Sequence, residues 1–308
     1  MAKPKWDLEL PEYEEEIDFL VRIYGKAIED ILNRILELST YGKDKEISQA
    51  QMRKVLAYVA SRLRTVDKES EEWAKEKIET AFKLGQAETI VALGEAASFD
   101  EAIGMVAASE TIVDARRQLV TDTYKDLLQA NNKMKEETIK MVRNVVREQQ
   151  AKSAAMNQGR RSATYVTKKE LRKMFKKTGN VGIVDKAGRR WKLHTYAEMV
   201  TRTKMLQAHV EGTRLEAKER NVDLAIVSDH NAEDACRKFE GQIISMNGET
   251  EGFMTYEELR RSNLIFHPNC RHKITPVRDL DILPQDIRDK FEENRSEAER
   301  LLKKQKNK

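Results

Sequence analysis

Proline is missing between Pro11 and Pro268, cysteine occurs only twice, and aromatic residues make up 6% of the 308-residue chain. The proline gap removes the residue that most often ends helices, so most of that stretch is expected to be helical. Two cysteines, Cys236 and Cys270, argue against a disulfide framework in so long a chain. No apolar run approaches the ~18–20 residues that cross a bilayer. The opening Met1-Ala2-Lys3-Pro4-Lys5-Trp6 lacks the apolar core of a signal peptide, so a soluble protein made in a cytoplasm is expected. Neither a phosphate-binding P-loop nor a dinucleotide fingerprint is present, which disfavours ATP-driven and dehydrogenase chemistry.

What the chain has in abundance is charge. Charged residues reach 35% beside 40% hydrophobic ones, a balance that fits a helical protein with a large solvated surface. A chain of this length suggests two or three domains at ~100–200 residues each. The net charge of +4 hides a division, because residues 1–40 hold five Lys/Arg against ten Asp/Glu and residues 160–192 hold twelve against two. Such blocks are most often solvated faces or interaction tails. The basic block, with Arg160, Arg161, Lys168, Lys169, Arg172, Lys173, Lys176, Lys177, Arg189 and Arg190, also suits a phosphate backbone, releasing counterions as it binds. The last ten residues read as a frayed basic tail.

Hydrophobic periodicity supplies the elements. Ile17, Leu20, Val21, Tyr24, Ile28, Ile31 and Ile35 recur at helical steps and predict a first amphipathic helix ending at Tyr41-Gly42. A second helix is expected after Ser48, and a third from about Ser70 through Trp73, Ile78 and Phe82. Ser98 and Glu101 form a capping box, after which one long helix is expected to about residue 155, with Val106, Val113, Val120, Leu127, Met134 and Met141 on a seven-residue ridge. Ser109, Arg116, Thr123 and Glu137 make a poor partner row, so a helix packed in a bundle is favoured over a dimeric zipper. The pattern then breaks over Ala151–Ser162.

Beyond the break the period changes. Val181–Val184 and Arg190–Leu193 read as a hairpin, Tyr196 to about Arg220 as a helix, and Leu224–Val227 and Gln242–Met246 as short strands with a turn at Asn247-Gly248. The expected fold is α+β: a long-helix-rich region over 1–155, a basic junction over 156–180, a small α+β domain over 181–280 and a helical basic tail over 281–308.

Cys236, Cys270 and three of the five histidines, His230, His267 and His272, lie within two short segments. Zinc takes tetrahedral sets of thiolate and imidazole, and structural sites use four such ligands. Cys236, His267 and Cys270 are the first candidates, with His230 or His272 as the fourth. Two residues including Pro268 separate His267 from Cys270, a short knuckle, although Cys236 has no second cysteine three residues on. The same residues also read as core cysteines with histidines bonded to backbone, and spacing alone puts that reading ahead. A nucleophilic Cys236 served by His230 or His267 is weaker, since nothing marks oxyanion donors. Asp229 beside His230 does not follow the usual order of a His-Asn-His endonuclease. Arg202 is expected on the helix surface, paired with an acid such as Asp229 or touching a phosphate.

The blocks Gly188–Leu193, Tyr196–Thr203, Val227–His230, Phe239–Ser245 and His267–His272 together resemble the minor capsid proteins of tailed bacteriophages. The resemblance is to the minor capsid protein 2 group, related to Mu F-like head morphogenesis proteins. It covers about residues 180–278, with Trp191, Tyr196, Arg202, Asp229 and Gly241 among its motif positions. It implies a non-enzymatic protein inside the head near the portal, assisting assembly, DNA packaging or ejection. Its implied partners are portal, capsid or scaffold proteins and double-stranded DNA contacted without sequence preference. Several related proteins carry a C-x-x-C pair where this chain has only Cys236, and end in His-Pro-x-Cys-Arg-Cys where this one has His272. If those positions bind metal in relatives, structural zinc is the expected cofactor here, with His replacing one thiolate and His230 or Asp229 another; the departure also leaves room for a metal-free hydrogen-bonded knot. The alternative is a nuclease-like or toxin-like enzyme carried in the virion that uses the Cys/His cluster.

Overall fold

The computed structural model describes residue 8 and residues 12–38, 49–155, 183–184, 190–191 and 193–306. They fold into α1 (Glu14–Leu38), α2 (Gln49–Trp73), α3 (Glu79–Ala92), α4 (Phe99–Ile103), α5 (Glu110–Ala155), β1 (Ile183–Val184), β2 (Arg190–Trp191), α6 (Leu193–Glu219), β3 (Leu224–Val227), β4 (Ile243–Ser245), α7 (Tyr256–Ser262), β5 (Ile274–Pro276) and α8 (Gln285–Lys306). This is the α+β class that the sequence leads one to expect. No described helix is long and apolar enough to cross a membrane. The chain divides into two compact units, one of residues 1–14, 74–123 and 201–308, the other of residues 15–73 and 124–200.

In the second unit, α1 buries Ile17, Leu20, Tyr24, Ala27 and Ile31, and α2 buries Val55, Val59, Leu63 and Val66. These are the three- and four-residue steps of one helical face, and each large apolar side chain so buried contributes about 1.5–3 kcal/mol. Polar staples set the helix positions. Arg62 Nε donates to Asp30 at 2.9 Å, the Trp73 indole N–H donates to the Glu16 carbonyl at 3.1 Å, and Asn131 Nδ2 donates to Asp67 at 2.6 Å. Burial raises the Asp67 pKa against that last bond. The expected hairpin forms, with Ile183 opposite Trp191 and Val184 opposite Arg190.

Two helix boundaries differ from expectation. No new helix starts at Ser70: α2 runs on through a π-helical turn at Ala74–Ile78 into α3. The buried Ser70 is no cap, and its hydroxyl lies 3.5 Å from that of Tyr24. The Ser98 cap does form, accepting from Glu101 N at 3.3 Å, but it opens only the five-residue α4, which ends at Gly104. The long helix starts at Glu110 instead. On it Leu127 and Met134 are buried as the ridge suggests, while Val113 and Val120 are half-buried. Thr123, placed in the poor row, is buried, its hydroxyl satisfied by the Leu119 carbonyl at 2.7 Å.

The first unit is organised by a helix crossing and a small sheet. A Cβ on Gly85 of α3 would lie 1.9 Å from the His209 carbonyl oxygen, and one on Gly212 of α6 would lie 2.0 Å from that of Phe82. Only glycine permits so close a backbone approach. Thr89 and Thr213 lace the crossing, each hydroxyl reaching a carbonyl of the opposite helix at 3.1 and 3.2 Å. The sheet is antiparallel in the order β4-β3-β5. Residues of β3 alternate between two cores: Ala225 and Val227 join Ile244, Phe239, Leu259 and Ile274, whereas Ile226 joins Ile243, Val277, Leu283 and Phe291. A strand covered on both faces reads as the continuous apolar run Leu-Ala-Ile-Val.

β5 has no counterpart among the strands expected from sequence; it is three residues long and carries Pro276, which an edge strand tolerates. The carboxy-terminal segment is helical through Lys306 rather than frayed. It delivers Phe291 to one core and Ala298 and Leu302 to the other.

Candidate metal centre

Three short segments meet at the cysteines. Asp234 caps a 3-10 turn, Ala235–Phe239, by accepting from Cys236 N at 3.0 Å, which turns the Cys236 side chain inward. The chain after α7 passes through Phe266 and Asn269, both at positive φ (56° and 67°). Cys270 N donates to the His267 carbonyl at 3.0 Å, closing the knuckle that the sequence suggests. His272 lies just before β5 and is buried, as are both cysteines.

The donor atoms converge. Cys236 Sγ lies 3.9 Å from Cys270 Sγ and 3.0 Å from His267 Nε2, and Cys270 Sγ lies 3.2 Å from His272 Nδ1. Tetrahedral zinc with Zn–S near 2.3 Å and Zn–N near 2.0–2.1 Å separates sulfurs by about 3.8 Å and sulfur from nitrogen by about 3.5 Å. Cys236, Cys270 and His272 have donor atoms mutually within 4.8 Å, and so do Cys236, His267 and Asp234. Cys236 belongs to both groups.

Hydrogen bonds fix both imidazoles in the ligating tautomer. His272 Nε2 lies 3.0 Å from the Glu240 carboxylate, which can only accept, so Nε2 carries the proton and Nδ1 faces Cys270. His267 Nδ1 lies 2.9 Å from the Pro268 carbonyl, so its Nε2 faces Cys236. Zinc-ligating histidines usually give their far N–H to a carboxylate or carbonyl in this way. Glu240 is 4% exposed and also accepts from the backbone N–H groups of His230 and Ala232, each at 2.9 Å.

Electrostatics agree. The hydrogen bond from Cys236 holds the Cys270 thiol well below its ordinary range, overcoming burial, with help from His272. That same bond, with burial, pushes Cys236 up. Burial works to lower the His272 pKa, yet Cys270 and Glu240 outweigh it and the net shift is upward. Cys270 is thus the sulfur that gives up its proton more readily, and a divalent ion held there would stabilise both thiolates. Cys236, Cys270 and His272 fit three positions of a zinc site, and His267 reaches it through Cys236.

The other candidates sort clearly by position. His230 is exposed, its Nε2 lies 2.9 Å from Ser228 Oγ, and its ring stands 5.1 Å from that of His272, edge to face. His272 therefore fits the fourth position better. Arg202 is not on an open surface: it is buried and grips both Glu14 carboxylate oxygens at 2.5 and 3.1 Å, while Asp229 pairs with Lys290 at 2.5 Å. Gly241 adopts φ 72°, which L residues rarely accept, and its N–H donates to the Val227 carbonyl at 3.0 Å. Tyr196 is half-buried in the first turn of α6. Arg190 and Trp191 form β2, of which the backbone is described. Arg160, Arg161, Lys168, Lys169, Arg172, Lys173, Lys176, Lys177 and Arg189 lie outside the described residues. Sequence reasoning misses Glu240 and the fully buried pair His209–Glu88, at 2.5 Å; nothing in the sequence marks any of the three as a partner.

Of the ordered motifs, those at 227–230, 239–245 and 267–272 meet around the cysteines, and the match to known proteins runs well beyond them. The family described as Phage minor capsid protein 2 matches residues 10–308. The chain belongs to the phage minor capsid protein 2 family. This minor capsid protein is matched by no curated protein and by no solved structure. The family match takes in the helical amino-terminal half, where the sequence motifs carry no resemblance of their own. It assigns the chain to the virion and favours a structural role over an enzymatic one.

Proposed function

We propose that this minor capsid protein acts in head morphogenesis from inside the head, near the portal, assisting assembly, DNA packaging or ejection. The family match over residues 10–308 carries this reading. The charge division supports it: twelve Lys/Arg against two Asp/Glu over residues 160–192 suit packed duplex DNA, and the acidic arm offers a surface to portal, capsid or scaffold proteins. DNA contact through backbone phosphates is independent of sequence. The chain is made in the host cytoplasm and built into the particle there.

Within this reading the Cys/His centre is a structural zinc site that joins three parts of the first unit: the 3-10 turn, the loop after α7 and the start of β5. Cys236, His267, Cys270 and His272 hold the ion and Glu240 positions His272. The functional test is localisation. Protein tagged in the particle is expected to co-purify with portal vertices after gentle head disruption. Recovery with empty capsid shells alone, free of portal, would contradict the placement.

A second reading has an observation of its own. Glu240, His272 and Cys270 form a hydrogen-bonded carboxylate-imidazole-thiol series, an order used by thiol nucleophiles. A small cavity of about 20 Å³ lined by Thr203, Leu206, Tyr256 and Phe266 reaches Cys270. Zinc-loaded and metal-free protein that both leave DNA, RNA and peptide esters intact exclude it.

A further inference from the structure

The segment just before the first helix is held by an unusual concentration of partners. Tyr13 is buried, and its hydroxyl lies 2.6 Å from His209 Nδ1. His209 Nε2 meets Glu88 Oε2 at 2.5 Å, and Glu88 Oε1 accepts from the Thr275 hydroxyl at 3.0 Å. His209 and Glu88 are both fully buried. Hydrogen bonds therefore run without a gap from β5 through two helices to Tyr13. Buried polar networks of this kind are costly when only partly satisfied, so their members hold or fail together.

The second set of partners comes from the metal-binding loop itself. Lys273 Nζ stands 5.5 Å from the centre of the Tyr13 ring, within the range of a cation–π contact. Burial pushes the Lys273 pKa down, and the nearby charges of Glu88 and Glu12 only partly offset it. Arg271 lies 3.9 Å from the Glu14 carboxylate, which Arg202 grips through both oxygens. Asn269 N donates to Thr203 Oγ1 at 2.9 Å, seating the loop on α6 one residue from Arg202. Thus Arg271 and Lys273, the neighbours of His272 on either side, both face Glu12–Glu14, and Thr275 lies three residues beyond His272.

We propose that Glu12–Glu14 is a strap whose docking is set by the metal centre: closure of the loop on the ion presents Arg271 and Lys273 to the strap, and loss of the ion releases it. This rests on the zinc reading above and adds its regulation. Docked, the strap holds Glu14 against Arg202 and Arg271. Released, it frees an acidic arm for a basic partner during assembly. The physical reason for the coupling is short range: a loop whose two side chains clamp the strap cannot reorganise around His272 without moving both of them.

Amide hydrogen exchange on the full chain tests this, with zinc content measured on the same samples. Chelation is expected to speed exchange in the peptide carrying Tyr13 and Glu14 about tenfold or more, and to leave β4 unchanged. The double variant Tyr13→Phe with Glu14→Gln should show the same increase at full zinc content. Chelated protein that has lost zinc yet keeps the strap protected would overturn the coupling and leave the zinc reading standing. Protein that never carries zinc overturns both. If chelation loosens β4 as well, the zinc-loaded variant Arg271→Ala with Lys273→Gln decides: faster strap exchange supports the coupling, and unchanged exchange overturns it.

Discussion

His272 Nε2 and Glu240 Oε1 stand 3.0 Å apart in a place where each side chain is 4% exposed. The contact aims His272 Nδ1 at Cys270, and the same carboxylate oxygen ties down the backbone of the segment 230–232. Removing it leaves two backbone N–H groups and an imidazole N–H without their partner. Glu240→Ala is therefore expected to weaken zinc affinity about 10–100-fold, measured by competition with a chromogenic chelator. Glu240→Gln, which keeps a carbonyl acceptor, should lose much less. Equal affinity for Glu240→Ala and wild type would remove Glu240 from the metal centre.

Gly85 and Gly212 carry the closest backbone approach among the described glycines. An added methyl meets a carbonyl oxygen rather than a flexible side chain, so the helices themselves must part. Gly85→Ala and Gly212→Ala are each expected to destabilise the protein by about 3 kcal/mol, read as a lowered urea midpoint. A methyl added at Gly25 would meet nothing within 4 Å, and Gly25→Ala in the same assay should be neutral or stabilising.

Asp223 organises the turn after β4, accepting from Ser245 Oγ, Asn247 N and Thr250 N at 2.5, 2.7 and 2.9 Å. Burial works to raise its pKa, but the hydrogen bonds from Ser245, Thr250 and Asn247 outweigh it and hold the carboxyl below its ordinary 3.8. A depressed carboxylate stabilises the fold fully above its unfolded pKa, and that stabilisation disappears as pH falls through the folded value. Stability of the wild type should decline below about pH 4 partly for this reason. In Asp223→Asn that contribution to the slope should be absent. Identical slopes for the two proteins across the acid range, from about pH 5 down to about pH 2, would contradict the assignment.

Much of the helical architecture is legible in the sequence because its signals are local. Ile17, Leu20, Tyr24 and Ile31 repeat on one face, and their burial follows from that repeat alone. β3 is legible as an apolar run, whereas β5 is not, because three residues containing a proline become a strand only when β3 is beside them. The α2–α3 junction misleads because Ser70 looks like a cap until Tyr24, 46 residues away, is brought to its hydroxyl. Cys236, His267 and Cys270 are identifiable by residue type. The choice between His230 and His272 is not, since it depends on which imidazole the buried Glu240 holds. The His209–Glu88 pair is invisible for the same reason, its partners standing 121 positions apart.

The basic segment bears separately on DNA. Each phosphate neutralised on a duplex contributes ~0.9 to the slope of log affinity against log salt. Replacing Lys168, Lys169, Lys176 and Lys177 together by Gln should flatten that slope by about 3–4, equally for unrelated duplex sequences. Filter binding across a salt series measures it, and an unchanged slope would place the DNA contact elsewhere.

Zinc K-edge absorption on the whole chain tests the proposed zinc centre most directly. The predicted spectrum shows two sulfurs near 2.3 Å and two nitrogens near 2.0–2.1 Å, about the usual bond lengths of such a shell, from one ion per chain. His230→Ala should leave it unchanged, and His272→Ala should abolish the four-ligand shell. Protein without zinc, a shell of oxygen and nitrogen alone, or loss of the ion in His230→Ala would contradict the account.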